Sequence, residues 1–438
     1  MIAKIKGTYD ILPNQIPLWQ HLESVIYQVS KLYHFDEIRT PIFESSELFH
    51  RSVGETSDII KKETYDFEDR GKRQITLRPE GTAPVVRSVI ENKLYASSNL
   101  PLKLYYHGPM FRYERPQKGR QRQFYQFGAE ALGSNSPLMD AEMIAYASTF
   151  LKALQLPNVK VKVNTLGDEE SKELYKKTLL SYLEPKIGSL CEDCNRRYLD
   201  NPLRVLDCKI DKENPVLQEA PKPTDCLTEA AQTHFSQVLR ALDQMNIEYE
   251  LDLSLVRGLD YYTHTVFELE ADLPTLGAQA TLGGGGRYNN LVKSLDGPDF
   301  PAVGFAFGME RLLLALESLN KTMPAPYIHA FMISIGEHAK AKSLEIITAL
   351  RHGGLIIDYD FFDHGLKAQF KQAEKQNPKY YLIFGETEFD QESINVKNAK
   401  TAVQETVKLS QLYQYLVSAI QNEAHECSGG CSTCEEDC

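Results

Sequence analysis

Gly108-Pro-Met-Phe-Arg112-Tyr-Glu114-Arg115-Pro-Gln117-Lys118-Gly119-Arg120-Gln121-Arg122-Gln123-Phe124-Tyr-Gln126-Phe127 reads as a strand, a basic loop and a returning strand. Two extended runs closed by one loop make a hairpin, the unit of an antiparallel sheet. A hairpin of this composition suits a nucleotide. An arginine at the strand end can fork onto a phosphate, Glu114 can accept from an adenine amino group, and Phe124 offers a stacking face. The plain alternative is a solvated basic hairpin, which leaves the aromatic run of residues 124–127 unexplained.

Around the hairpin the pattern is α+β. Leu18, Leu22, Val25, Ile26, Val29 and Tyr33 recur at helical spacing, so residues 17–35 are expected to form an amphipathic helix with proline in its first turn. Residues 37–43 alternate like a strand, which Pro41 confines to an edge, and helix and strand together can form a dimer face. Further strands are expected at 73–77, 103–112, 123–130 and 159–163, and a helix at 138–154. Residues 167–249 change character, with charged helical stretches, loop prolines and four of the eight cysteines, as an inserted domain would. Strands resume at 249–256, 265–269 and 278–282, and a helix follows the segment 301–311. Met323-Pro-Ala-Pro326 reads as a linker to a small α/β unit with strands at 330–334, 355–359, 380–384 and 393–396.

Composition narrows the function classes. With 438 residues, 42% of them hydrophobic, the chain has material for several globular domains. No apolar run of transmembrane length and no signal peptide is evident, so the expected compartment is cytoplasmic, without membrane contact. A net charge of -12 argues against a wholesale basic coat for nucleic acid, although a basic groove can sit on an acidic protein. In a reducing compartment the cysteines suggest metal or redox chemistry before disulfides. Cys191-Glu-Asp-Cys194 is half of a zinc knuckle, but Cys208 and Cys226 do not form a second C-x-x-C pair. In the tail, Cys427, Cys431, Cys434 and Cys438 can wrap one tetrahedral metal; the alternative is a disordered acidic extension.

Three more segments carry charge where packing does not ask for it. Leu255-Val-Arg257-Gly-Leu-Asp260-Tyr261-Tyr262 sets an arginine, a carboxylate and two phenols in one short apolar stretch. A buried guanidinium is costly without an anion, so the stretch reads as built around a ligand; a structural Arg257–Asp260 pair is the alternative. In Gly304-Phe-Ala-Phe-Gly308-Met-Glu310-Arg311, the arginine opposes the dipole of the helix it opens, which an anionic ligand would explain. In Leu77-Arg-Pro-Glu80-Gly81-Thr82, Glu80 and Thr82 are expected to end a strand where they could hold an ammonium group. Neither a P-loop nor a Gly-x-Gly-x-x-Gly fingerprint is present.

Together these pieces resemble class II aminoacyl-tRNA synthetases. Residues 17–41 are similar to motif 1, Phe111-Arg112-Tyr113-Glu114 through Phe124 to motif 2, and Gly308-Met-Glu-Arg311 to motif 3. Residues 255–262 and Gly284-Gly-Gly-Arg287-Tyr288 resemble the two motifs of the bacterial histidyl-tRNA synthetases. Asn289-Asn290, where that family usually reads Asp-Gly, and the cysteine tail depart from the pattern. The resemblance implies an antiparallel-sheet catalytic domain over 1–325 with a helical insertion at about 167–249. An α/β anticodon-binding domain over 326–425 and the tail 426–438 complete the expected order.

The implied activity joins L-histidine to tRNA(His), with ATP and Mg²⁺ as substrate, no organic cofactor, and a homodimer as the assembly. Arg112 would hold the α-phosphate and the carboxylate. Arg257 would approach from the opposite side, in a role that a metal ion fills in related enzymes, and Arg311 would hold the terminal phosphate. Glu114, Arg120 and Phe124 complete the ATP site. Glu80, Gly81, Thr82 and Gln126 surround the α-amino group, Tyr261 and Tyr288 line the ring, and Arg115, Gln117 and Lys118 reach the acceptor end of the tRNA. A neutral imidazole offers one donor and one acceptor, and Glu130 with Tyr262 supplies the complementary pair. A pocket that leaves wrong side chains unpaired needs no editing. The rival reading is a catalytically inactive paralogue serving as regulatory subunit of ATP phosphoribosyltransferase, a group that normally lacks the anticodon domain and key site residues.

Overall fold

A computed structural model describes residues 2–53, 59–200, 202–206, 208, 210–211, 213–256, 261–273, 280–319 and 327–428, without the side chains of 199–200 and 423–428. Arg257, Asp260, Cys431, Cys434, Cys438 and the side chain of Cys427 lie outside the described residues. The chain divides into two compact units, Met1–Lys321 and Thr322–Cys438. Among the described residues no helix is long and apolar enough to cross a membrane.

The first unit contains β1 (Asp36–Glu37), β2 (Phe43–Ser45), β3 (Tyr65–Glu68), β4 (Gln74–Leu77), β5 (Leu102–Phe111), β6 (Gln123–Leu132), β7 (Val159–Thr165), β8 (Glu250–Leu251), β9 (Thr263–Ala271), β10 (Thr281–Arg287) and β11 (Ala302–Gly308). Eight of these form one sheet in the order β1-β5-β6-β11-β10-β9-β7-β8. Every pairing from β5 across to β7 is antiparallel, and the two short edge strands are parallel additions. The expected edge strand at 37–43 is instead two short strands in different sheets, because β2 joins β3 and β4 in a separate three-stranded sheet. Pro41 lies between them and has no N–H to continue a ladder. The strand expected at 249–256 shrinks to Glu250–Leu251 for a similar local reason. Asp252 turns the chain, its side chain accepting from the Ser254 N–H at 3.1 Å and the Ser254 hydroxyl at 2.6 Å.

Alternation along β6 separates core from site. Phe127, Ala129 and Ala131 point to a face packed with aromatic rings, where Phe127 lies 4.8 Å from Phe150 and 5.6 Å from Phe305 between ring centres. Helices Ile16–Leu32, Pro137–Ala153 and Glu229–Gln244 cover that face. The first buries Trp19, Leu22, Val25, Ile26 and Val29, one stripe at helical spacing, behind the proline at its start. Fully burying each such side chain stabilises the fold by about 1.5–3 kcal/mol. Gln126, Gly128 and Glu130 take the opposite face by the same period of two.

Between β7 and β8 lies the helical insertion. Its small core draws on Tyr175, Leu179, Leu183, Val205 and Leu217 together with cysteines, whereas helix Glu229–Gln244 packs into the main core through Phe235, Val238 and Leu242. The second unit holds β12 (Ile328–Ser334), β13 (Ile357–Tyr359), β14 (Pro378–Phe384), β15 (Ser393–Asn398) and β16 (Gln404–Lys408), a five-stranded mixed sheet in the order β13-β12-β14-β15-β16. Its core joins Met332, Leu382 and Phe384 on the strands to Ile347, Leu350 and Leu416 on flanking helices.

Candidate active site

The open face of the large sheet carries a cleft of about 1190 Å³ lined by Glu80, Thr82, Arg112, Glu114, Arg120, Phe124, Gln126, Tyr261 and Arg311, among others. Register explains why these side chains meet. Glu130 sits opposite Leu104 on β5 and Gly304 on β11, and Gln126 opposite Gly108 and Gly308, so both rise from one surface. Gly304 is required there: a Cβ on it would fall 1.7 Å from Glu130 Oε2. Gly81 and Gly128 leave room for the Tyr106 ring, which would stand 2.1 and 2.4 Å from their added Cβ atoms.

Glu130 is almost fully buried and surrounded by hydroxyls. Thr82 donates to it at 2.7 Å, Tyr106 at 3.3 Å, and Tyr288 in a short hydrogen bond. Among the described residues no cation pairs with it. Burial therefore pushes its pKa to about 8, against the pull of the Tyr288 and Thr82 hydroxyls. Tyr261 packs edge-on to Tyr288 at 5.5 Å and beside Tyr262 at 4.8 Å, so the three phenols close one side of the carboxylate. Tyr288, expected only to line a ring, is thus one of three hydroxyl donors to Glu130, and Tyr106 joins it unannounced by the sequence.

Glu80 and Thr82 do not end a strand. β4 stops at Leu77, and Thr82 opens helix Thr82–Glu91, whose first-turn N–H groups on Thr82 and Ala83 donate to the Glu80 carboxylate at 2.6 and 2.9 Å. Helix N-terminal donors thereby fix the carboxylate in place. Burial raises the Glu80 pKa even so. Close by, Gln126 presents a buried Oε1 that has no hydrogen-bond partner among the described residues. An unmet acceptor facing a cleft marks a place for a donor from outside the chain.

Positive charge occupies the other part of the cleft. Arg112, just past β5, donates to Pro79 O at 2.8 Å and lies 5.3 Å over the Phe124 ring and 3.9 Å from Glu114. Arg120 reaches Glu114 at 3.5 Å. Gly119, at φ +74°, closes the loop tip, where Gln117 and Arg120 exchange backbone bonds and Arg115, Gln117 and Lys118 stand exposed. Arg311 donates to Thr281 O at 2.8 Å and forms no ion pair among the described residues. Burial, with Arg120 and Arg112 nearby, lowers its pKa, the mark of a guanidinium placed where an anion is wanted. Its neighbour Glu310 is held by the Tyr125 N–H at 2.9 Å and the Tyr9 hydroxyl at 3.0 Å, and burial lifts its pKa to about 7.

Arg287, within the motif Gly284–Tyr288, plays a different part. It is fully buried and turned away from the cleft, forked onto Asp140 at 3.0 Å and donating to Ser134 O at 2.8 Å and Asn289 Oδ1 at 3.2 Å. This pair fixes the end of β10 to helix Pro137–Ala153, and so positions Tyr288.

Known proteins share the sequence and the fold of this chain. The family model described as histidyl-tRNA synthetase matches residues 7–312, and one described as anticodon binding domain matches residues 329–419. Histidine--tRNA ligase of Bacillus cytotoxicus is 46% identical over 95% of this chain and 98% of its own length, and histidine--tRNA ligase 1 of Shouchella clausii is 47% identical over the same shares. The crystal structure of apo S. aureus histidyl-tRNA synthetase superposes with a TM-score of 0.83 at 40% identity, covering 95% of this chain and all of that one. Matched over residues 7–312 by the family model and over 95% of its length by relatives, the chain belongs to the histidyl-tRNA synthetase family.

Proposed function

We propose that the chain attaches L-histidine to tRNA(His) in two steps. The histidine carboxylate attacks the α-phosphorus of ATP, forming histidyl-adenylate as the bond to pyrophosphate breaks. The 3'-terminal adenosine hydroxyl of the tRNA then attacks the adenylate carbonyl and AMP leaves. Glu130 carries this reading: a buried carboxylate ringed by Thr82, Tyr106 and Tyr288 hydroxyls accepts an imidazole N–H while a nearby phenol, Tyr262, donates to the other ring nitrogen. The unmet Gln126 Oε1 and the Glu80 carboxylate take the α-ammonium group beside Gly81 and Thr82.

Arg112 binds the α-phosphate and the substrate carboxylate, whose mutual repulsion is the main electrostatic barrier. Arg311 binds the terminal phosphate, Phe124 stacks on the adenine with Glu114 accepting from its amino group, and Arg120 supports them. Arg257, whose motif implies a second arginine for the α-phosphate, lies outside the described residues. Positioned charges of this kind act without reorganising as negative charge shifts onto the leaving pyrophosphate. Glu268 supplies a hard oxygen donor in the same cleft, which with the phosphate oxygens fits Mg²⁺ carried by ATP. Bound there, the ion would neutralise phosphate charge. Arg115, Gln117 and Lys118, exposed at the loop tip, meet the acceptor end of the tRNA, and the second unit meets the anticodon.

The assembly is a cytoplasmic homodimer. Tyr27 and Leu32 on helix Ile16–Leu32, and Phe43 on β2, expose 58%, 77% and 57% of their surface, more than buried neighbours of the same helix would suggest for a free face. Sedimentation should find a dimer that Leu32→Glu and Phe43→Glu together convert to monomer. The decisive assay is ATP–pyrophosphate exchange with each amino acid in turn. Exchange with histidine alone is expected, and exchange with another amino acid, or with none, overturns the proposal.

A further inference from the structure

The insertion gathers three of its four described cysteines and leaves the fourth apart. Cys191 precedes helix Glu192–Asp200 and Cys194 lies in its first turn, so a two-residue spacer turns both thiols to one side. Cys208 arrives from the 3-10 turn Pro202–Val205, and Asp211 follows it. One ligand atom from each of these four residues lies within 4.8 Å of every other. Cys191 Sγ is 3.6 Å from Cys208 Sγ, which in turn is 3.5 Å from Asp211 Oδ2. Sulfurs on one tetrahedral zinc, each ~2.3 Å from the ion, stand ~3.8 Å apart. The Asp211 N–H donates to Cys208 Sγ at 3.3 Å and the Cys191 N–H to Asp211 Oδ2 at 2.9 Å, backbone bonds of the sort that orient metal ligands. Cys226 is excluded, its thiol directed at Thr178 Oγ1 3.7 Å away.

We propose that Cys191, Cys194, Cys208 and Asp211 bind one Zn²⁺ ion as a structural site. Three soft thiolates with one carboxylate select zinc over the hard cations that prefer oxygen alone. All four positions are protein ligands, which closes the coordination sphere and gives the ion no catalytic opening. The site fastens helix Glu192–Asp200 to the segment around Cys208, which with Leu206 and Leu217 lines the same cleft as the basic hairpin. A core as small as that of the insertion gains most from such a staple. This inference does not depend on which amino acid the cleft takes.

The test uses the full chain with Cys427, Cys431, Cys434 and Cys438 all changed to serine, dialysed against metal-free buffer and analysed by mass spectrometry for metals. About one zinc per chain is expected for a closed four-ligand site. Adding Cys208→Ser should abolish it, and adding Cys226→Ser should leave it unchanged. Asp211→Cys, which keeps four ligands, should retain the ion and, with Co²⁺ in its place, show stronger thiolate-to-cobalt absorption than the parent. Absence of zinc from the protein lacking the tail cysteines, or zinc that survives Cys208→Ser, would overturn the assignment.

Discussion

Two buried carboxylates of the same unit, Asp140 and Glu130, behave in opposite ways. Burial by itself would raise both. At Asp140 the Arg287 guanidinium and His234 overcome it and hold the pKa at about 2, whereas Glu130 meets only hydroxyls and rises to about 8. A carboxylate joined to a guanidinium is complete and serves the fold. One that lacks a cation is costly to ionise in the empty protein, and that cost is relieved only by a ligand that brings a donor.

The largest effect should come from breaking the complete pair. Arg287→Ala leaves Asp140 buried and unpaired, a loss of about 3–5 kcal/mol in denaturant unfolding. Replacing both partners by apolar residues should recover much of it; recovery of nothing would show that Arg287 acts through Ser134 and Asn289 instead. Beside this pair, burial and the neighbouring His234 lower the His264 pKa to about 4. The folded protein therefore prefers His264 neutral: its contribution is present above the unfolded value of about 6.5 and is lost as pH falls through 4, about 3 kcal/mol in all. Asn at position 264, which tolerates the left-handed backbone there, should flatten this acid limb.

At the incomplete carboxylate the effect moves from folding to binding. Glu130→Gln should weaken histidine about 100-fold, or about 2.7 kcal/mol, and abolish an inflection near pH 8 in histidine affinity. Because the raised group favours the folded state below 4.5 and loses that contribution as pH rises through 8, the same variant should be more stable than its parent above pH 8. Loss of stability there, measured by thermal unfolding, would contradict the contrast. The smallest change expected is from Tyr288→Phe, about 1 kcal/mol in histidine binding measured by calorimetry, with the fold intact.

Where a pattern repeats along the chain, the sequence was readable. The stripe from Leu18 to Tyr33 and the extended run of residues 123–130 announce an amphipathic helix and a strand, and the arginines at positions 112 and 311 stand out as charge without a packing reason. Partnerships across long separations were not readable. Asp140 and Arg287 are 147 residues apart, and nothing local to either names the other. Tyr106 is hidden for a related reason, since a tyrosine in an apolar strand looks like core until the register sets it opposite Gly128, from where its hydroxyl reaches Glu130. Glu80 reads as a strand end because the proline before it masks a helix start, and the nearness of Asp211 to the cysteines is not carried by cysteine spacing.

The sequence alone determined the α+β order, the two units and the residue types that phosphate and imidazole chemistry need, because periodicity and charge are properties of neighbours. Only the tertiary structure decided which buried carboxylate received a guanidinium and which was left among hydroxyls. Ionisation in a protein interior depends on what stands within a few ångströms, and that is fixed by the meeting of distant strands.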